Sequence, residues 1–254
     1  MRIVINNGVP MRVGRARGNR LGPRPRVNAV TNRIGRNGGE NMAKPLVEVS
    51  ITTWRKNRVS AGSEHGRVLL MPGTGYNCDR PLLYWSAQAL VEAGWRVDRM
   101  NVRNASDDLS VVTPVINDAI DGWVERVRKE DRSGRLMLIG KSLTTLTYPH
   151  VAREHGLPFV LLTPVINPAD FDPTDQIIPI ESTEGDVAYP GPDPLICAGT
   201  ADPFYDRAKA NKLTSHVHEY PDANHSIEVP GHWRRSLDYL KEVTASVAQY
   251  AATL

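Results

Sequence analysis

The chain has 254 residues, of which 41% are hydrophobic and 23% charged, and its formal net charge is +3. This length suits one large α/β domain or two small ones, and the composition excludes a collagen, a low-complexity chain and a disulfide scaffold. No apolar run reaches the roughly 18 residues of a membrane helix, and the first residues lack the apolar core of a secretory signal. Because only Cys78 and Cys197 are present, we expect free thiols in a reducing, cytoplasmic compartment.

The positive charge is concentrated in residues 1–41, which contain nine arginines and a single acid, Glu40. The rest of the chain has 22 basic and 27 acidic residues, so its net charge is −5. The segment 1–41 shows no helical or strand period, and we predict that it is disordered. Four interpretations stay open: a leader before a start at Met42, a polyanion-binding tail, a transit peptide or an ordered arm. Nucleic acid is not an expected partner of the remaining chain, because only this tail is basic.

From residue 45 onward, apolar strands alternate with amphipathic helices. Strands are predicted at 46–54, 67–71, 95–100, 135–139, 158–162, 193–198 and 216–220. Helices are predicted at 82–93, at 112–127, from about Leu143, after Pro203, and at the end of the chain with Trp233, Leu237, Leu240, Val243 and Val247 on one stripe. Such alternation indicates a single α/β domain over 45–254, with a doubly wound, mostly parallel sheet covered on both faces.

Residues 163–192 interrupt this alternation. They contain six prolines, several acids and only one short apolar run. Long irregular segments inside a compact domain are usually functional, so we expect a lid or a pocket wall here.

A serine directly follows the predicted strand 135–139. The segment Gly140-Lys141-Ser142-Leu143-Thr144 matches the G-x-S-x-G nucleophile elbow, except that threonine replaces the last glycine. Such a turn exposes the serine hydroxyl above the sheet, at a helix N-terminus that favours developing negative charge. The alternative is an ordinary serine that caps a helix.

A glycine-rich loop follows the predicted strand 67–71, at the edge where parallel sheets bind ligands. The loop lacks the G-K-[ST] ending of a phosphate-binding loop. Its backbone amide near Thr74 is a better candidate for an oxyanion hole, together with the amide of Leu143. A plain strand-to-helix turn is the alternative.

Two more polar loops follow the last two predicted strands, and they contain Asp202 and His225. Taken alone, Asp202 could cap a helix that starts at Pro203, and His225 could be a solvated surface histidine. The chain order of Ser142, Asp202 and His225, each just after its own strand, is nevertheless that of the α/β-hydrolase triad.

With these segments the sequence resembles the α/β-hydrolase superfamily, and within it the small, capless bacterial hydrolases related to dienelactone-hydrolase-like esterases. The resemblance spans about residue 45 to the C-terminus and rests on PGTGYNCDRPLLYWSAQAL, GKSLTT, GTADPFYD and NHSIEVPG. It implies Ser142 as nucleophile, His225 as base and Asp202 as the acid that orients the histidine. It also implies an oxyanion hole formed by the amides of Leu143 and Thr74.

These assignments predict a serine hydrolase that cleaves an ester or related acyl bond of a small molecule through an acyl-enzyme. We expect Gly75, Tyr76, Lys141 and Tyr205 to line the substrate pocket, and His150 could also line the site. No metal or organic cofactor is expected, since the scattered histidines lack zinc-ligand spacing. The alternatives are a catalytically silent scaffold protein with the same fold, and a nucleic-acid binder that depends on the basic tail.

Overall fold

The computed structural model describes residues 46–58, 64–104, 106, 108–130, 134–167 and 189–254. The predicted disordered segment 1–41, the start of the predicted domain at residue 45 and most of the segment 163–192 lie outside these residues. All described residues belong to one unit of the chain, Arg33–Leu254. None of the described helices is long and apolar enough to cross a membrane.

Strands and helices alternate along the described residues, and each predicted strand is present. The strands are β1 (Val47–Thr53), β2 (Gly66–Met71), β3 (Trp95–Asn104), β4 (Leu136–Lys141), β5 (Phe159–Leu162), β6 (Leu195–Gly199) and β7 (Val217–Tyr220). The α-helices are α1 (Pro81–Glu92), α2 (Leu109–Glu130), α3 (Tyr148–His155), α4 (Arg207–Leu213) and α5 (Trp233–Ala252). A 3₁₀ helix over Ser142–Thr147 connects β4 to α3.

The strands form one sheet in the order β1-β3-β2-β4-β5-β6-β7. All neighbouring strands are parallel except β1, which runs antiparallel to β3. This topology confirms the predicted doubly wound, mostly parallel sheet. It also brings the carboxyl ends of β2, β4, β6 and β7, and therefore the four polar loops, to one edge.

The core consists of two apolar layers, one on each face of the sheet. Side chains of a strand alternate between the faces, so Leu69 belongs to the layer under α2 and α3, and Leu70 to the layer under α1 and α5. Trp123 and Phe159 are the largest fully buried side chains of the first layer. Burying one such apolar side chain is worth roughly 1.5–3 kcal/mol.

One buried ion pair joins β2, β3 and α2. Arg67 Nη2 lies 2.7 Å from Asp98 Oδ2, and the same oxygen accepts a hydrogen bond of 2.9 Å from Trp123 Nε1. Both charged side chains are almost fully buried, and Arg67 Nη1 also lies 3.8 Å from Glu64 and 3.7 Å from Glu130, so three carboxylates compensate the guanidinium.

The predicted apolar stripe of the last helix is wrong in its first turns. Trp233 and Leu237 are 61% and 55% exposed, whereas Tyr239 and Tyr250 are buried. The hydroxyls of these two tyrosines donate to backbone carbonyls at 3.2 and 2.8 Å. A tyrosine can therefore bury its ring while its hydroxyl stays paired, which an apolar pattern does not detect.

The helix expected from Leu143 begins as a 3₁₀ helix, because threonine hydroxyls bond locally to its backbone. Thr145 Oγ1 donates to the carbonyl of Ser142 at 2.5 Å, and Thr147 Oγ1 donates to that of Thr144 at 2.7 Å. The helix expected after Pro203 is α4, and its N-cap is Asp206, so the alternative in which Asp202 caps a helix that starts at Pro203 is wrong.

Candidate active site

The backbone turns sharply at Ser142, immediately after β4. Ser142 has a φ of +54°, in the left-handed region that non-glycine residues rarely adopt. Holding such a conformation costs on the order of 1–3 kcal/mol and commonly marks a functional turn. Gly140 makes this turn possible, because a Cβ there would lie 2.9 Å from the Phe159 ring. The chain therefore makes a strained strand-to-helix turn at Ser142, which is 4% exposed, and its role as a nucleophile stays a prediction.

Thr144 stands where the elbow motif has its last glycine, and its side chain is fully buried. Its Oγ1 accepts a hydrogen bond of 3.1 Å from the Lys141 amide and lies 3.2 Å from the Met71 carbonyl, to which it donates. The hydroxyl thus ties the elbow to the end of β2. The β-branched residue is accommodated by these two hydrogen bonds, while the turn at Ser142 keeps its left-handed backbone.

Ser142, His225 and Asp202 form a continuous hydrogen-bonded chain across three loops. Ser142 Oγ lies 2.8 Å from His225 Nε2, and His225 Nδ1 lies 2.7 Å from Asp202 Oδ2. The Asp202 carboxylate is completely buried, and its other oxygen accepts from the Phe204 amide at 3.0 Å. An ionised carboxylate only accepts, so the proton of the neutral ring sits on Nδ1 and Nε2 is free to accept from the serine.

Close packing of two backbone loops fixes the distance between Asp202 and His225. Gly199, which ends β6, allows this packing, because a Cβ there would lie 2.1 Å from the Ala223 carbonyl oxygen. The Ala201 amide donates to that same oxygen at 2.9 Å. The loops after β6 and β7 therefore lie directly against each other.

Lys141 lies under the histidine loop, although the sequence predicted only that it lines the pocket. Its side chain is buried, and Nζ donates to the His225 carbonyl oxygen at 3.1 Å. The ammonium also lies 4.8 Å from the centroid of the Tyr76 ring. Burial lowers the pKa of Lys141 to about 8, although the negative charge of Asp202 acts in the opposite direction.

The glycine-rich loop after β2 lies against the serine. A Cβ on Gly73 would come within 3.0 Å of Ser142 Cβ, so only a glycine permits this approach. Thr74 and Gly75 are exposed in the same turn. The Tyr76 hydroxyl accepts from the Leu82 amide at 2.9 Å and so fixes the start of α1. The roles of the Thr74 and Leu143 amides in an oxyanion hole, and of Gly75 and Tyr76 in a pocket, stay predictions.

The remaining candidates lie at different places. The Tyr205 hydroxyl donates to Glu219 on β7 at 2.7 Å, which ties this ring to the sheet. Phe204, in the segment GTADPFYD, packs its ring edge-on against the His225 imidazole at 4.9 Å between centroids. His150 is absent from the contacts of the triad and bonds to Asp121 instead.

No protein-family model and no curated protein sequence matches this chain. Solved structures do match it. Est1E from Butyrivibrio proteoclasticus is 16% identical, with 82% of this chain and 93% of that chain covered and a TM-score of 0.59. An α/β serine hydrolase without lid from Xanthomonas campestris is 16% identical, with coverages of 81% and 91% and a TM-score of 0.52.

A soluble variant of monoglyceride lipase from Saccharomyces cerevisiae is 12% identical, with coverages of 83% and 94% and a TM-score of 0.56. At such identities the similarity concerns the fold. The chain therefore has the α/β-hydrolase fold, as the sequence predicted.

Proposed function

We propose that this protein is a serine hydrolase that cleaves an ester or related acyl bond of a small molecule through an acyl-enzyme. The observation that carries the proposal is the hydrogen-bonded chain from Ser142 through His225 to the buried Asp202. Three loops from separate strands converge on it, and a strained backbone presents the serine. Two of the similar solved structures, described as a serine hydrolase and a monoglyceride lipase, support the same reaction class.

In the proposed first step, Ser142 Oγ attacks the acyl carbon while His225 Nε2 accepts the serine proton. The two atoms already lie 2.8 Å apart, so the transfer needs no rearrangement. The resulting imidazolium is stabilised by the Asp202 carboxylate, which is buried and therefore acts through a low-dielectric medium. His225 then passes the proton to the leaving alcohol, and the acyl-enzyme forms.

Water completes the reaction in the second step. His225 takes a proton from the water as the water attacks the acyl carbon, and Ser142 leaves with that proton. The tetrahedral intermediates of both steps carry an oxyanion, for which we propose the amides of Thr74 and Leu143 as donors. One such donor is worth about 10²–10³ in rate in enzymes of this kind.

We also propose that the folded hydrolase unit begins near residue 45, so that the basic segment 1–41 takes no part in the reaction. The first β-strand of the sheet starts at Val47, just after this boundary. Removal of residues 1–41 is expected to leave the turnover of small esters unchanged.

The decisive experiment combines covalent labelling with turnover. The full chain is treated with a fluorophosphonate probe and, separately, with p-nitrophenyl esters of increasing acyl length. We expect labelling of Ser142 and measurable hydrolysis, and both should be lost in Ser142→Ala. The Ser226→Ala variant is the matched control, because Ser226 also lies next to His225 but outside the hydrogen-bonded chain.

A folded protein that is neither labelled nor active with any ester would contradict the proposal and would favour a silent scaffold. Labelling that persists in Ser142→Ala would place the nucleophile elsewhere. The length profile of the active esters then defines the acyl pocket.

A further inference from the structure

A second polar cluster lies between α2 and α3, away from the triad. Asp121 on α2 faces His150 and His155, which lie in the first turn and at the end of α3. His150 Nε2 is 2.8 Å and His155 Nε2 is 2.7 Å from the same atom, Asp121 Oδ1. One carboxylate oxygen therefore receives two imidazole nitrogens of a different helix.

The donor atoms of this cluster converge closely. One ligand atom from each of the three residues lies within 4.8 Å of the others, so small side-chain rotations can bring all three onto a single cation. The side chains of Asp121, His150 and His155 are 37%, 26% and 11% exposed, so an ion can enter from solvent without opening the core. The Arg128 guanidinium donates to the backbone carbonyl of His155 at 3.5 Å and not to its ring.

We propose that Asp121, His150 and His155 bind a divalent transition cation of the zinc class and thereby link α2 to α3. Two imidazole nitrogens and one carboxylate oxygen form a donor set that suits Zn²⁺, Co²⁺, Ni²⁺ or Cu²⁺ and disfavours Mg²⁺ and Ca²⁺, which prefer oxygen ligands only. Three protein ligands leave one tetrahedral position for water.

The cluster can reach metal geometry with small movements. Ligand atoms at about 2.0–2.1 Å from a tetrahedral zinc ion lie about 3.3 Å apart. The present separations of 2.7 and 2.8 Å must therefore open by roughly half an ångström, which rotation of partly exposed side chains can supply.

The environment of His155 sets the expected strength of binding. Its Nδ1 is buried and has no hydrogen-bond partner among the described residues. Ligating histidines usually hold their second ring nitrogen in such a bond, and losing it costs about 10–100-fold in metal affinity. We therefore expect a dissociation constant in the micromolar range rather than the nanomolar range of tight zinc sites.

The test is a titration of the full chain, free of any affinity tag and of residual metal, with ZnCl₂ in a calorimeter. We expect one Zn²⁺ per chain at this site, and Co²⁺ should give the visible absorption of a tetrahedral complex. At a hundred-fold excess over the dissociation constant, Zn²⁺ should raise the thermal midpoint by about 5–10 °C.

Four variants distinguish the site from other histidines. His150→Ala and Asp121→Asn, whose side chains are partly exposed, should each weaken Zn²⁺ binding at least ten-fold while the far-UV spectrum stays that of the folded protein. His218→Ala changes an exposed histidine of β7 and should bind Zn²⁺ normally. His225→Ala should also bind it normally, which excludes a zinc ion held by the triad.

The proposal is overturned if the unaltered chain binds no Zn²⁺ at a concentration of about 100 μM, which is well above the micromolar dissociation constant expected for this site. It is also overturned if His150→Ala and Asp121→Asn bind Zn²⁺ as tightly as the unaltered chain. In either case the three residues are only a hydrogen-bonded link between two helices.

Discussion

Replacement of Lys141 by methionine should make the free energy of unfolding depend differently on pH. The amine is buried, its pKa is lowered from 10.5 to about 8, and the cause is desolvation. Below pH 8 both the folded and the unfolded chain hold this proton. Between pH 8 and 10.5 the unfolded chain binds the proton more strongly than the folded chain, so the stability of the unaltered protein rises with pH.

The magnitude follows from the width of that window. One pKa unit corresponds to about 1.4 kcal/mol, so the full difference between 10.5 and 8 is worth about 3 kcal/mol. About 2 kcal/mol of it is gained between pH 7.0 and 9.5. Methionine has a similar length and no charge, and it therefore removes this contribution without leaving a large cavity.

The assay is urea unfolding of both proteins at pH 7.0 and at pH 9.5. We expect the unaltered protein to gain about 2 kcal/mol relative to Lys141→Met between the two values. Lys129→Met, which changes an exposed lysine of α2, serves as the control and should track the unaltered protein. If the free energy of unfolding of the unaltered protein does not rise relative to that of Lys141→Met, burial does not lower the pKa of this amine and the argument is refuted.

Three further substitutions test how the site and the core are built. Gly199→Ala should lower kcat/KM for ester hydrolysis by about 10²-fold, because its Cβ collides with a backbone oxygen 2.1 Å away, and a misplacement of about 1 Å has that effect. Gly122→Ala, in open space on α2, should leave activity unchanged, and equal activity of both variants would contradict the loop packing. Thr144→Val should lower the free energy of unfolding by about 1–3 kcal/mol while Thr144→Ser does so less, and equal losses would exclude a role for the hydroxyl. Asp98→Ala removes the shortest carboxylate contact of the buried Arg67, which keeps Glu64 at 3.8 Å and Glu130 at 3.7 Å. It should cost about 2–3 kcal/mol in chemical denaturation, whereas a loss below about 1 kcal/mol would show that the pair is not needed.

Local patterns were sufficient to predict the strands and most of the helices. The runs of β2, β4 and β5 are short, apolar and bounded by turn residues, which is the signature of strands buried on both faces. The end of α1 could also be predicted, because Gly94 lies just after the helix and adopts the left-handed φ, +85°, that glycine favours at this position. These features depend on residues within a few positions of one another.

The three residues of the candidate triad could also be predicted from the sequence, because the order of strands and helices implies the topology of the sheet. In a parallel sheet the carboxyl ends of the strands share one edge, so loops that follow different strands meet there. Ser142 and His225 are 83 positions apart, yet the alternation of strands and helices predicted that they lie together. Their catalytic roles stay predictions, which the labelling and turnover experiments test.

The contacts of single side chains within the site could not be predicted from the sequence. The elbow pattern marked Thr144 as a departure, and only the packing shows its hydroxyl between the ends of β2 and β4. Lys141 bonds to a carbonyl 84 positions away, so its neighbours in the chain carry no signal of it. The predicted apolar stripe of α5 was wrong for a similar reason, since the carbonyls that accept from Tyr239 and Tyr250 lie on loops far away in the sequence.

The sequence by itself determined the alternation of strands and helices, the placement of four polar loops at one edge and the concentration of positive charge in residues 1–41. Each of these follows from short-range periodicity or from simple counting. The tertiary structure alone decided that Asp121, His150 and His155 meet, because they are 29 and 34 positions apart and match no ligand spacing. Contacts of this kind depend on how two helices pack on the sheet, and packing is a property of the whole chain rather than of any segment.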